Sequence, residues 1–566
     1  MVSMLEKLDA QLSTLLSGWN YLTIIIGLAL AALVAYPIIF QDEPDTHPLL
    51  LARQSSAAPI RNKYESAAYR SPETPYGTNL KSGLNVKDAG APRWASGKDG
   101  DLRDVWREVQ RGGTTEDDGK EIPAGLIMTV LGKEEVVEHD VGKVSKEIGI
   151  MGRHMKDAGV KKVAIYLPNS IEYLSTIFAC AFYGLTPVLL PYNLPHQKVY
   201  ELINSTGADA LICAAGNLPL DDLAVQCSNI NLLTWVVEKT SRHMDWNGTP
   251  DAASGRLAVS VWHDIVAEQK STASAELPAN DQGATPGDLI SVWQSTDISA
   301  KPDIVTFTQR NLVSAIASLI SALPLRQRLT SADMLLPADG FAHTYVLCHT
   351  LAALFTHASL AITSVAGPGV DLDKASRSVS PTVIVASAET LGAMHTKETA
   401  GITSGIQKLG KYSHDQAMSA GRMPTDGLLF KLLAPSATST KPGKLRLILT
   451  SERLGAGSPP LSSNMLSDLR IFTRARICYA LTAARVAGAV AQSNVFDYRR
   501  DAGTGRSHFG SPLSSVEIKL VSKEDGKVDG ALPEGEIMVS GPAVSGGGVR
   551  LGVQGRMRED GTLVCP

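Results

Sequence analysis

An α/β fold with a small β-rich end, preceded by one apolar helix, is what the amino-acid sequence predicts, on three observations. From about residue 126, short apolar runs alternate with helical patterns; after Ser507 the runs turn hairpin-like; and Tyr21–Phe40 contains no charged side chain. Strands alternating with helices imply a parallel sheet covered on both faces. The chain has 566 residues, 44% hydrophobic and 19% charged, enough for a large core and too apolar for disorder as the dominant state. Its 53 basic and 57 acidic side chains give a formal charge of −4, so no nucleic-acid partner is expected. Six cysteines, Cys180, Cys213, Cys227, Cys348, Cys478 and Cys565, show no C-x-x-C or metal-ligand spacing. They read as buried cytosolic thiols rather than a disulfide scaffold or a zinc site.

Residues 1–18 carry Leu5, Leu8, Leu12, Leu15 and Leu16 at helical spacing and predict an amphipathic interfacial helix. Residues 19–40 predict a transmembrane helix, because about 20 apolar residues suffice to cross a hydrocarbon core. Trp19, Tyr21 and Tyr36 stand near its ends, where amphipathic rings favour the headgroup level. A cleaved signal peptide is the competing reading, but the run exceeds an h-region and the segment before it is not basic. Lys7 precedes the run while Arg53, Arg61 and Lys63 follow it, which favours a cytosolic body, with the endoplasmic reticulum as the expected membrane. Asn204 and Asn247 lie in N-x-Ser/Thr sequons, which matter only in the opposite topology.

Residues 41–125 are rich in Pro, Ser, Gly and charge and predict a linker or surface strap. Within 126–506, LIMTVLG opens with a strand, a helix follows from Val141, VKKVAIYL is a strand, and IEYLSTIFACAFYG is a helix stopped by Gly184. PVLLPY, ADALIC, LLTWVVE, SVWQS, MLLPA, LAITS, PTVIVAS and LRLILTS continue the strand series, while 265–288 and 396–442 read as loops or surface insertions. Residues 507–566, with EIKLVS and GEIMVSGP, predict the small β-rich subdomain.

The order of these segments resembles the adenylate-forming (AMP-binding) superfamily, which includes the acyl-CoA synthetases. VAIYLPNSIEYL and the run to Ile212 look like its first βαβ region. TFTQRNL (306–312) is similar to the end of its phosphate-binding segment, and GFAHTYVLCHTLAALF to the stretch whose histidine gates the acyl pocket. YALTA (479–483) corresponds to the adenine-stacking "YGxTE", and RSHFGSPLSSVEIKLV followed by LPEGEIMVSGP to later family strands. Each string is short; their shared order over residues 126–566 carries the resemblance. It implies stacked α/β subdomains over 126–506, ATP and Mg²⁺ as cofactors, and activation of a carboxylate for transfer to a thiol.

The residues that would do this chemistry are changed. The phosphate loop of the family reads about "TSGSTGxPKG", in which glycines bring backbone N–H groups to the phosphates and the lysine adds a cation. Here the stretch is STDISAKPDIVTFTQ: Asp297 and Ala300 replace glycines, and Asp303 falls at the lysine. A carboxylate against a triphosphate costs up to about 1 kcal/mol per close pair even in bulk water. Ala483 replaces the Mg²⁺-binding Glu, Ser451-Glu452-Arg453-Leu454-Gly455 replaces "SGGAP", and Leu551-Gly552-Val553 replaces the ribose-binding "TGD". The mobile terminal subdomain with its catalytic lysine is expected to be absent after Pro566. What remains of the nucleotide site is Ser295, Thr296, Ser299, Lys301, Thr308, Tyr479 and Thr482, with His343 as the acyl-pocket candidate.

Other motifs weigh less. GIQKLGK (405–411) has P-loop spacing, but Tyr412 takes the Ser/Thr position needed for Mg²⁺. His263-Asp264 and His414-Asp415 diverge on regular structure, and there is no H-E-x-x-H and no G-x-S-x-G. SGGGVRLG (545–552) reads as a flexible turn ahead of an anion nest. Three functional readings follow. The first is a membrane-anchored pseudoenzyme acting as a binding or scaffold module in acyl metabolism. It would need no cofactor and no catalytic residue, and its partners would be the membrane, a fatty acid or acyl-CoA, or lipid-metabolic proteins. The second is an active ATP-dependent acyl-CoA synthetase, and the third an enzyme of other chemistry in the same fold.

Overall fold

The structure is a computed structural model and describes residues 21–39, 43–87, 91–92, 94–113, 123–131, 135–237, 257–269, 276–279, 285–376, 378–424, 445–501, 505–523 and 526–566. Three sheets organise them. The seven-stranded sheet runs Asp303–Phe307, Leu289–Trp293, Thr186–Leu189, Lys162–Tyr166, Ala210–Ala214, Leu232–Val236, Ala258–Val261. All its pairs are parallel except the hairpin of Leu289–Trp293 with Asp303–Phe307. The nine-stranded sheet has the parallel core Arg476–Thr482, Leu447–Arg453, Val383–Ser387, Met334–Pro337, Ser359–Thr363, Ile127–Leu131, with short antiparallel strands at both edges. Every residue of Val383–Ser387 is buried, which fits a central strand covered on both faces.

Local sequence explains the layers. Helix Ile171–Tyr183 begins where Ser170 Oγ accepts the Tyr173 N–H at 3.2 Å and ends at Gly184 in the left-handed region, φ 76°. It packs on helix Val141–Asp157 closely enough that a Cβ added at Gly152 would lie 2.2 Å from the Tyr183 ring. Only glycine fits there. Trp106 and Phe178 meet at 4.9 Å between ring centroids, joining the amino-terminal strap to this layer.

The segment 41–125 is therefore more than a strap. Ser56–Ala57 and Tyr69–Arg70 add two antiparallel strands to the sheet of Glu517–Val521, Glu534–Ser540, Gly548–Met557 and Leu563–Val564. Leu102–Arg111 is a helix with a capping box between Asp101 and Asp104, and it buries Leu102, Val105, Trp106 and Val109. The region 396–442 also differs from the loop expectation, since Ala388–Gly401 and Gly405–Ser419 are helices. GIQKLGK lies inside the second of them, whose amino-terminal N–H groups are capped by Ser404, so it is not a phosphate loop.

The expected transmembrane span at 19–40 finds no support in the fold. A helix does occupy Tyr21–Ile39. Among the described residues no helix is long and apolar enough to cross a membrane. The expected amphipathic helix at 1–18 and the sequon at Asn247 lie outside the described residues. Asn204 is exposed on helix His196–Thr206 and donates to the Gln226 carbonyl at 2.9 Å.

Candidate functional site

The hairpin of Leu289–Trp293 with Asp303–Phe307 is closed by the pair Trp293 and Asp303. Its connection, residues 294–302, reaches the carboxyl ends of two neighbouring parallel strands, where Arg453 is in register with Thr482. Ligand clefts of open α/β sheets form at such strand ends. A cleft of about 240 Å³ lies there, lined among others by Ser295, Lys301, Asp303, Gly455, Ala483 and Val553. The four altered motifs thus meet around one cavity, and Ser295 and Lys301 are the sequence-predicted residues that line it.

Four backbone N–H groups of the loop and the Ser299 hydroxyl are spent within the protein. Thr296 N–H donates to the Ala456 carbonyl at 2.9 Å, and its side chain packs against Gly457, where an added Cβ would fall 2.1 Å from Oγ1. Asp297 N–H donates to Ser295 Oγ at 3.2 Å. Asp297 Oδ1 accepts both the Ser299 N–H (2.9 Å) and the Ser299 hydroxyl (2.6 Å), and Ala300 N–H donates to the Asp297 carbonyl at 3.1 Å. The Ser299 hydrogen bonds hold the exposed Asp297 carboxyl below its ordinary range, so it is charged. A carboxylate of the chain sits on donors that would otherwise face a phosphate.

The neighbouring slot is filled as well. Tyr479 is fully buried, packs on Phe509 at 4.9 Å between centroids, accepts the Leu461 N–H at 3.1 Å, and donates its hydroxyl to Glu452. Arg506 closes on the same carboxylate at 3.0 Å and is itself held by the Pro566 carbonyl at 2.9 Å. No open ring face remains for a base. Burial pushes the Glu452 carboxyl up, against the pull of Tyr479 and Arg506. Thr482 Oγ1 donates to the Glu452 carbonyl at 3.0 Å and lies 3.5 Å from His343 Nε2. With Ala483 in place of a carboxylate and Val553 in place of the ribose ligand, these residues do not fit a magnesium nucleotide.

His343 is buried beside Trp293 (5.7 Å between centroids), with Nδ1 3.6 Å from Asp339 Oδ2. Burial drives its imidazole below the ordinary range, so it is neutral near pH 7. Thr308 stands apart from the cleft. It caps helix Gln309–Ser321 through a reciprocal pair with Asn311, whose Nδ2 reaches the Pro542 carbonyl at 2.7 Å. Thr308→Ala is expected to cost about 1 kcal/mol of stability, read by urea denaturation, and to leave ligand binding in the cleft unchanged. Glu452 and Arg506 are the residues that sequence reading missed as a pair. The carboxylate was visible where a glycine belongs, but its partner lies in a distant segment.

A family model described as AMP-binding enzyme matches residues 139–547, well over half of the chain. The chain belongs to the AMP-binding enzyme family. Long chain acyl-CoA synthetase 7, peroxisomal, of Arabidopsis thaliana is 23% identical over 425 residues, covering 71% of this chain and 55% of that protein. The chain thus spans about half the length of this curated relative. Among solved structures, FadD1, a long-chain-fatty-acid-CoA ligase from Archaeoglobus fulgidus, aligns at TM-score 0.57 and 13% identity over 86% of each chain. The amino-terminal domain of FACL13 from Mycobacterium tuberculosis gives 0.56 and 14%, over 82% of this chain and 99% of that one. The anthranilate CoA ligase AuaEII gives 0.56 and 14%, over 85% and 79%. These solved structures share the adenylate-forming α/β fold with this chain.

Proposed function

We propose that this AMP-binding family member forms no adenylate and serves acyl metabolism as a membrane-attached binding or scaffold module. Its partners on this reading are a fatty acid or acyl-CoA, or a lipid-metabolic protein, and it uses neither ATP nor Mg²⁺. One observation carries the reading: the chain's own carboxylates, Asp297 and Glu452, occupy the donors of the phosphate loop and the slot beside Tyr479. Attachment is supported by the helix Tyr21–Ile39, on which Tyr21, Ile25, Ile26, Leu28 and Leu30 are exposed. The proposed place is the endoplasmic reticulum, with the body in the cytosol.

Isothermal titration of Mg-ATP into the full chain in detergent tests the first part. No saturable heat is expected at micromolar nucleotide, and no pyrophosphate release when a fatty acid is added. A second reading, the active ligase, is favoured by the cations Lys301, Arg485 and Arg550 that face the cleft. Micromolar binding, worth about 8 kcal/mol at 1 μM, would put that ligase first.

A further inference from the structure

The apolar helix is tied to one particular face of the body. Six Cα steps separate Ile39 from Asp45, so the two lie within about 22 Å of each other even along an extended chain. Asp45 is clamped: its N–H donates to the Gly421 carbonyl at 3.0 Å, and its Oδ2 accepts from Arg476 (3.0 Å), Tyr498 (2.7 Å) and the Met423 N–H (3.4 Å). Gly421 closes the helix Gly405–Ser419. Whatever surface takes up the apolar helix must therefore face this region of the body.

The two elements that lead away from this clamp, the short helix after Asp45 and the helix before Gly421, both expose apolar side chains. The short helix Pro48–Ala52 buries none of its residues, and Leu49 and Leu50 are 71% and 61% exposed. Helix Gly405–Ser419 packs inward through Gly410, His414 and Met418, the last beside Ile471 and Phe472. On its outside Ile406, Leu409 and Tyr412, at 69%, 61% and 62% exposure, form an i, i+3, i+6 stripe. Lys408 on that helix and Arg53 after the short one are exposed cations. Apolar side chains flanked by cations on a helix face are the composition of an interfacial element on an anionic bilayer.

We propose that Leu49, Leu50, Ile406, Leu409 and Tyr412 form a lipid-contact face, which seats the body on the bilayer in one fixed orientation. The proposal rests on the membrane attachment argued above, with the bilayer as its committed occupant, because the Asp45 clamp brings this face within reach of the apolar helix.

All six native cysteines are buried, so an introduced surface cysteine can be labelled selectively. The full-length variants Leu409→Cys and Leu50→Cys, carrying an environment-sensitive NBD label, are mixed with vesicles of phosphatidylcholine containing phosphatidylserine. Val225→Cys, at a site 81% exposed on the helix Leu220–Gln226, is the control. Labels at 409 and 50 are expected to shift to the blue, brighten, and be quenched by nitroxide lipids, while the label at 225 stays aqueous. Flotation of the same samples separates the outcomes. Co-flotation with aqueous labels at 409 and 50 overturns this face and leaves attachment standing; absence of flotation overturns attachment and the face together. A spectral shift without vesicles that grows with protein concentration also overturns it, by assigning the stripe to a second copy of the chain.

Discussion

Replacing Asp497 with alanine is expected to cost about 1.5–3 kcal/mol of stability, the range for removing a buried, charged hydrogen-bond acceptor. The Asp497 side chain is fully buried and carries three separate parts of the chain. It accepts from Gln54 Nε2 at 2.7 Å, from Arg499 at 2.8 and 2.6 Å, and faces His508 Nε2 at 3.4 Å. Arg499 goes on to Asp560 at 2.8 Å, and the Asp560 carbonyl accepts the Gln54 N–H at 2.7 Å. The strap, the loop after the large sheet and the carboxyl-terminal hairpin are therefore locked through one carboxylate. Alanine would leave the Arg499 guanidinium and the Gln54 amide without this partner, and urea denaturation would read the loss.

The same carboxyl predicts an acid limit. Burial opposes its charge, but the Arg499 hydrogen bond and the charges of His508 and Arg499 hold it at about 2. An unfolded aspartate titrates near 3.9, so the difference corresponds to about 2–3 kcal/mol at roughly 1.4 kcal/mol per pH unit. Because the folded value is the lower one, this stability is fully present above about pH 4 and is lost as pH falls toward 2. Asp497→Asn should flatten the stability profile in that window and leave its shape above pH 5 unchanged. An equally steep acid limb in Asp497→Asn would assign the loss to other carboxylates.

The parts of the fold that were legible in the sequence are those set by local chemistry. Ser170 and Gly184 bound the helix Ile171–Tyr183, as a cap and a left-handed glycine do. Val383–Ser387 was readable because a strand buried on both faces must be nearly all apolar, and its one polar residue, Ser387, caps the helix that follows. The helix Leu102–Arg111 could also have been found. Leu102, Val105, Trp106 and Val109 follow i, i+3, i+4, i+7 behind an acidic capping pair, but the polar texture around them hid the pattern. Ser56–Ala57 and Tyr69–Arg70 were beyond reach, because two-residue strands have no period and take their partners from Glu517–Val521. The candidate site divides in the same way. Motif order brought Ser295, Lys301, Asp303, Ala483 and Val553 to one cleft, since strand ends fix where loops meet. That Thr308 is a helix cap, and that Arg506 closes over Glu452, follows only from three-dimensional contact.

Restoring nucleotide affinity is the sharpest test of that contact. The variant Asp297→Gly, Asp303→Lys, Ala483→Glu and Glu452→Gly is expected to bind Mg-ATP about 100-fold more tightly than the unmodified chain. Removing Asp297 frees the Ser299 N–H and hydroxyl, which it now occupies at 2.9 and 2.6 Å. Exchanging Asp303 for lysine turns a repulsion at the mouth of the cleft into an attraction, each about 1 kcal/mol for a close solvated pair. Glutamate at 483 supplies an oxygen ligand for Mg²⁺, and glycine at 452 opens the slot beside Tyr479. Together these changes come to about 3 kcal/mol, or roughly two decades in affinity. Glycine at 452 also leaves the buried Tyr479 hydroxyl without its acceptor, so the triple variant that keeps Glu452 serves as a folding-safe companion with about tenfold gain expected. Titration calorimetry at a fixed magnesium concentration reads both. If neither folded variant binds more tightly than the parent, the internal carboxylates are not what keeps the nucleotide out.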